Sequence, residues 1–242
     1  MERLDKVLSN LGYGTRKEIK QVVKKGFVTV NDEKVKDSGL QIDPEKDTIV
    51  INGEKVEYKK YIYLMMNKPA GVISATYDKR DETVIDLLYM EDQVFEPFPV
   101  GRLDKDTVGL LLLTNDGDIV NKILRAGNNH EKEYMVTVNK AITDDFIKKM
   151  SSGVRILGTV TKKCFVKKEG SKVFRIILTE GMNRQIRRMC EVFGYKVVKL
   201  ERVRIMNIHL GNLKNGNWRD LTIKELEGIN DLIKDSQKVY KE

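Results

Sequence analysis

Residues 101–117 read GRLDKDTVGLLLLTNDG, and this stretch constrains the fold more than any other. Five residues, Leu110 to Thr114, have the character of a strand buried on both faces, so the chain must place core material on each side of it. Gly101 and Gly109 bracket the loop that leads into the strand, and that loop alternates basic and acidic residues. A loop anchored at a buried strand can hold a carboxylate, Asp104 or Asp106, at a defined position beside Arg102. A neighbouring guanidinium lowers a carboxylate pKa and keeps the group ionised and nucleophilic. Taken alone, an Arg-Asp pair on a loop is more often a solvated contact with no chemistry.

The remaining pattern describes two modules. Leu4, Val7, Leu8 and Leu11 fall at the spacing of an amphipathic helix that Gly12 ends. Thr15-Arg16-Lys17-Glu18 is a capping box that opens a second helix, with Ile19, Val22 and Val23 as its apolar stripe and Gly26 as its stop. Arg16, Lys17, Lys20 and Lys24 lie off that stripe and form a basic face. Short strands follow from Phe27 to Val50. Residues 53–60 are polar and charged, as in a linker. A larger domain is expected over 61–242, opening on the strand Tyr61–Met66, which runs into Asn67-Lys68-Pro69-Ala70-Gly71, where Pro69 must leave the ladder. Further strands are predicted over 133–139, 173–179 and 196–200. Helices are predicted over 84–88, 118–125, 143–150 and, with Asn183 as N-cap, up to Gly194. In that last helix Ile186, Met189, Cys190 and Phe193 form the apolar face. Strands and helices mix without βαβ alternation, which indicates an α+β fold with a central mixed, mostly antiparallel sheet.

Charge narrows the partners. The chain carries a net charge of +8, and residues 160–206 hold thirteen Lys and Arg against four Glu. Residues 1–25 hold seven basic residues against three acidic ones. Two basic concentrations point to a polyanion held at two places. Arg184 and Arg188 are four apart on the predicted helix, a repulsive pair that a phosphate or an acidic side chain would relieve. Only two Cys and two His are present, without metal-ligand spacing, so no metal is expected. No apolar run reaches membrane-spanning length, and MERLDKVLSN carries charges where a secretory signal is apolar. A cytoplasmic, monomeric protein is the expectation, with no membrane partner.

Together these segments resemble the bacterial ribosomal RNA pseudouridine synthases of the RsuA branch. Residues 1–52 resemble an S4-like RNA-binding module, through Arg3-Leu4-Asp5, the Thr15–Glu18 box and Gly26–Asn31. Asp32 departs from it, standing where the module often has Gly. Residues 67–71 are similar to the family's first motif, 101–110 to its GRLDxxTxGL signature, Glu131–Tyr134 to its tyrosine motif and 181–189 to its third, basic motif. GMNRQIRRMC and LERVRIMNI are similar to the type F subgroup, which acts on 23S ribosomal RNA. The resemblance implies isomerisation of uridine to pseudouridine on a flipped-out nucleotide, without cofactor. It implies Asp104 as the catalytic carboxylate, with Asp106 a bystander. Tyr134 would lie against the uracil, Arg187 would pair with Asp104, and Ile186 would pack under the base. Arg102, Arg184, Arg188 and Lys68 are assigned to substrate binding, and Arg16 and Lys17 to RNA binding by the small module. The implied partner is 23S ribosomal RNA or a large-subunit precursor, with a tRNA anticodon loop as a further candidate. Two alternatives fit the residues less well: an RNA-binding or ribosome-assembly protein without activity, and a hydrolase using Asp104 with Asp106 or Asp116.

Overall fold

A computed structural model describes residues 1–124 and 129–234. The chain separates into two compact units, Met1–Ile62 with Tyr89–Glu96, and Tyr63–Leu88 with the residues from Pro97 onward.

The small unit contains β1 (Glu2–Arg3), α1 (Leu4–Asn10), α2 (Arg16–Lys24), β2 (Val28–Val30), β3 (Glu33–Lys34), β4 (Gln41–Ile42), β5 (Ile49–Ile51), β6 (Glu54–Lys55) and a short α3 (Met90–Gln93). Thr15 caps α2 in a complete capping box with Glu18, as the sequence predicts. β2, β3, β5 and β6 form an antiparallel sheet in the order β3-β2-β5-β6. Leu4, Leu8, Ile19, Val23, Val28 and Ile49 close the core between the helices and these strands. The turn from β2 to β3 puts Asn31 and Asp32 at φ 51° and 66°, the pair of left-handed residues that a two-residue hairpin needs. Asp32 therefore keeps the turn that Gly would make at lower cost. The stretch read as a linker begins inside this unit: β6 pairs with β5 and Val56 is buried in the same core. Composition alone cannot reveal this, because β6 is an exposed edge strand whose polar side chains face solvent.

The larger unit holds β7 (Tyr63–Lys68), β8 (Phe98–Pro99), β9 (Val108–Thr114), α4 (Gly117–Leu124), β10 (Lys132–Val138), α5 (Asp144–Ser151), β11 (Arg155–Ile156), β12 (Thr159–Val160), β13 (Phe165–Gly170), β14 (Val173–Leu178), α6 (Gln185–Val192), β15 (Val197–Ile205), β16 (Ile208–His209), β17 (Trp218–Asp220) and α7 (Ile223–Ile233). Nine strands form one sheet along the path β13-β14-β10-β15-β9-β7-β17, with β16 on β15 and β8 on β9. Every pairing is antiparallel except β15 with β9. The sheet is thus mixed and mostly antiparallel, and the chain is α+β. Residues 84–88 form turns rather than the predicted helix. Residue 125, the last of the predicted 118–125 helix, lies outside the described residues.

The strand of leucines is central. Leu110 and Leu112 enter a core with α4 and α7, while Leu111 and Leu113, alternating to the other face, are also fully buried. A second core joins β10, β14 and β15 to α5 and α6 through Val136, Phe174, Phe146, Ile186 and Met189. The single parallel join depends on Gly109, which faces Arg202 across the ladder at φ 102°. A Cβ there would collide with the Arg202 carbonyl, so only glycine permits this approach.

Candidate active site

A cleft of about 910 Å³ opens in the larger unit. Its walls include residues 101–104 and Thr107 of the loop before β9, Tyr134 of β10, the 180–186 segment, and Leu200 and Arg202 of β15.

The loop between β8 and β9 is clamped from several directions. Thr107 N–H donates to the Asp104 carbonyl at 3.0 Å, closing a turn over the two acids. Gly71 N–H donates to the Lys105 carbonyl at 2.8 Å, and Ser74 Oγ both donates to and accepts from the Leu103 backbone at 3.1 Å. Beneath the loop lies Lys68, fully buried at the end of β7. Its Nζ donates to the carbonyls of Thr107 (2.9 Å), Pro69 (3.0 Å) and Asp104 (3.2 Å). Burial pushes the Lys68 pKa down to about 8, against the opposing pull of Asp106 and Asp104. Lys68 therefore braces the loop from inside, its ammonium turned to backbone carbonyls rather than to the surface. An isolated lysine after a strand reads as a surface residue, because nothing local reveals that carbonyls converge on it.

The loop presents two carboxylates with different neighbours. Asp104 is about one-third exposed and reaches Arg184 Nη1 at 3.5 Å. Asp106 is more open and meets both Arg184 Nη1 (3.5 Å) and Arg187 Nη2 (3.1 Å). Arg187 is buried on α6, and its Nη2 also donates to the Asp106 carbonyl and to Thr107 Oγ1, each at 3.4 Å. The expected Arg187–Asp104 pair is thus an Arg187–Asp106 pair. Arg184, at the head of the helix, reaches both carboxylates, whereas Arg187, one turn further on, pairs with Asp106. Arg102 is exposed and makes no ion pair with a described residue, so the guanidinium beside Asp104 comes from a segment eighty residues away.

α6 begins differently from its sequence pattern. Asn183 does not cap it. Arg184 occupies the N-cap in a left-handed conformation, φ 51° and ψ 35°, with no side-chain cap. A non-glycine residue held there costs roughly 1–3 kcal/mol. The segment before it is tied by Gln185, which donates to Glu180 (2.7 Å) and accepts from Met182 N–H (3.0 Å). Arg188 is spent on Asn183, at 3.1 Å to its carbonyl and 3.2 Å to Oδ1. The repulsive Arg184–Arg188 pair is resolved by sending the two guanidinium groups apart, one to the acids and one to the preceding loop. Ile186 is buried and lines the cleft, and Tyr134, half-buried, lines it from the facing strand.

Arg16 and Lys17 lie on α2 of the small unit, both exposed, outside this cleft. Much of the basic excess in 160–206 is internally committed. Arg204 pairs with Glu133 (2.7 Å) and Glu131 (2.9 Å), and Arg175 with Glu133 (3.2 Å) and Glu169 (2.9 Å). Burial pushes the thiols up, Cys164 to about 11 and Cys190 to about 12, so both are neutral. Among the described residues no group of three or more His, Cys, Asp or Glu could hold a metal, and no helix is long and apolar enough to cross a membrane.

The RNA pseudouridylate synthase family profile matches residues 62–192, and the S4 domain profile matches residues 2–49. The chain is 50% identical over 242 residues to the dual-specificity RNA pseudouridine synthase RluF of Escherichia coli K12, covering 99% of this chain and 82% of that protein. It is 34% identical to ribosomal large subunit pseudouridine synthase B of Bacillus subtilis, covering 95% and 96%. A crystal structure of a pseudouridylate synthase superposes with a TM-score of 0.66 at 29% identity, covering 95% of this chain and all of that one. With a carboxylate-bearing loop clamped beside a basic helix, and sequence agreement along nearly its whole length, the chain belongs to the RNA pseudouridylate synthase family, in the RsuA-type branch that carries an S4 domain.

Proposed function

We propose that this pseudouridine synthase isomerises a uridine of 23S ribosomal RNA, or of its precursor, using Asp104 on a nucleotide flipped out of the RNA. The N1–C1′ bond breaks, a C5–C1′ bond forms, C5 gives up its proton and N1 gains one. The exchange is redox-neutral and needs no cosubstrate. Asp104 is the carboxylate that acts on the nucleotide. Tyr134 lies against the uracil and Ile186 packs beneath it. Arg184 accompanies the Asp104 carboxylate, whereas Arg187 holds Asp106 and Thr107, and so positions the loop. Arg102 contacts RNA beside the flipped nucleotide. The chain acts as a cytoplasmic monomer, with residues 1–52 as the S4-like module, whose Arg16 and Lys17 bind RNA, and 61–242 as the catalytic domain.

The observation that carries this reading is the braced loop. It holds one partly exposed carboxylate at a cleft that Tyr134 and Ile186 also line. Pre-organisation of this kind converts binding into rate. The name of the ribosomal large subunit relative supports ribosomal RNA as substrate. The dual-specificity relative supports a second RNA, for which a tRNA anticodon loop is the candidate.

Tritium release from 5-tritiated uridine in a 23S transcript tests the assignment. Asp104→Asn is expected to fall by at least about a thousandfold while binding the transcript nearly as well as the parent, because a lost nucleophile or base removes transition-state stabilisation alone. Turnover by purified Asp104→Asn at even a tenth of the parent rate would refute it.

A further inference from the structure

Two cations in the cleft have no acid to answer them among the described residues. Lys132 and Tyr134 share one face of β10, and Tyr134 lies across the ladder from Arg202 of β15. All three line the cleft. Arg202 is 3% exposed, its Nε donates to the Leu110 carbonyl at 2.7 Å, and its Nη2 is buried without a partner. Among the described residues Lys132 Nζ reaches only the His130 carbonyl, at 3.3 Å. The acids lining the cleft are committed elsewhere. Asp78 accepts from the Arg80 and Asp81 backbone, Asp104 from Arg184, and Glu180 from Gln185 and the Lys162 N–H.

We propose that Lys132 and Arg202 form a phosphodiester-binding subsite in the cleft, taking the phosphate that flanks the isomerised uridine. The inference rests on the RNA reading above. Burial and then the charge of Arg202 lower the Lys132 pKa, so the pair is held together at a cost that an anion between them removes. A guanidinium donor left unpaired in a buried place is expensive unless a ligand supplies the acceptor. Phosphodiester groups are the only full negative charges an RNA offers, whereas the uracil oxygens carry none in the bound substrate. The arginine is also pre-set. The Leu110 carbonyl orients its Nε edge, and the close approach of Gly109 fixes its backbone. The phosphate would bind beside Tyr134, so the contact sets how the flipped nucleotide enters the cleft.

Arg202→Gln and Lys132→Gln separate this role from others, with Arg202→Lys as the charge-retaining control. Affinity for a 23S transcript is read against potassium chloride, and turnover by tritium release. Each Gln variant is expected to reduce the slope of log K against log salt by roughly 0.7 to 0.9, the share of one phosphate contact. KM rises about tenfold with kcat within about threefold, the scale of one charge-assisted hydrogen bond. Arg202→Lys keeps the slope. An unchanged slope with a fall in kcat overturns the proposal, because the cations would then be stabilising the detached uracil or the Asp104 loop. A slope lost only in Arg202→Gln, together with lost thermal stability, also overturns it, since Lys132→Gln leaves the Leu110 contact intact. The salt slope is measured without turnover, so a parent protein that binds the transcript but releases no tritium refutes the proposed function and leaves the subsite test standing.

Discussion

Replacing Lys68 by Met separates a brace from a substrate contact. The ammonium sits under the 104–107 loop with three carbonyl acceptors within 3.2 Å. Removing the ammonium leaves buried carbonyl acceptors without their partner, at a cost of about 1–3 kcal/mol. Lys68→Met should therefore lose on the order of 1–3 kcal/mol, lowering the melting temperature of the larger unit by about 2–12 °C. Freed of its brace, the Asp104 backbone would shift. A displacement near 1 Å costs about a hundredfold in kcat. A substrate contact would instead raise KM and leave stability alone. The pH dependence adds a second check. Below pH 8 both folded and unfolded chains hold the Lys68 proton, and the native state carries the full burial cost. Between about pH 8 and 10.5 only the unfolded chain holds it, so the stability of the parent relative to Lys68→Met rises with pH. Calorimetry at pH 7 and pH 9.5 with tritium release at pH 7 decides the matter. Equal melting temperatures at pH 7 with a raised KM and an unchanged kcat would refute the brace.

Asp106→Asn removes the charge that Arg187 answers and leaves Asp104 in place, so kcat should fall about ten- to a hundredfold rather than vanish. Tritium release no lower than the parent rate would make Asp106 a bystander. Gly109→Ala forces a Cβ into the Arg202 carbonyl at a positive φ and should cost more than about 3 kcal/mol, seen as a fall in melting temperature. With thiol pKa values of about 11 and 12, Cys164 and Cys190 should alkylate with iodoacetamide at pH 7.5 at roughly a thousandth of the rate of an unhindered thiolate or less. Rapid labelling of the folded protein would contradict that burial.

Local sequence carried a good deal of this protein. The capping box at Thr15, the two-faced burial of Leu110–Leu113 and the apolar face of α6 follow from periodicity and hydrogen-bonding preferences that operate within a few residues. The motifs marked the loop, Tyr134, Ile186 and the arginines as one set, and all of these except Arg188 line the cleft or brace its loop. What spacing could not decide is which charge meets which. Arg184, left-handed at the head of the helix, reaches both Asp104 and Asp106, and Arg187 pairs with Asp106. Lys68 turns inward because carbonyls from residues as far away as Thr107 converge on its ammonium. The basic run from 160 to 206 includes arginines paired with Glu133 and its neighbours, arginines turned to the 104–107 loop, and Arg202, whose Nη2 has no partner among the described residues. A strand's alternation decides which side a charge is on, but only the strands packed beside it decide whether that charge is already paired. Pairing over such distances is a property of the folded sheet, and so the sequence named the loop while the tertiary structure chose its partners.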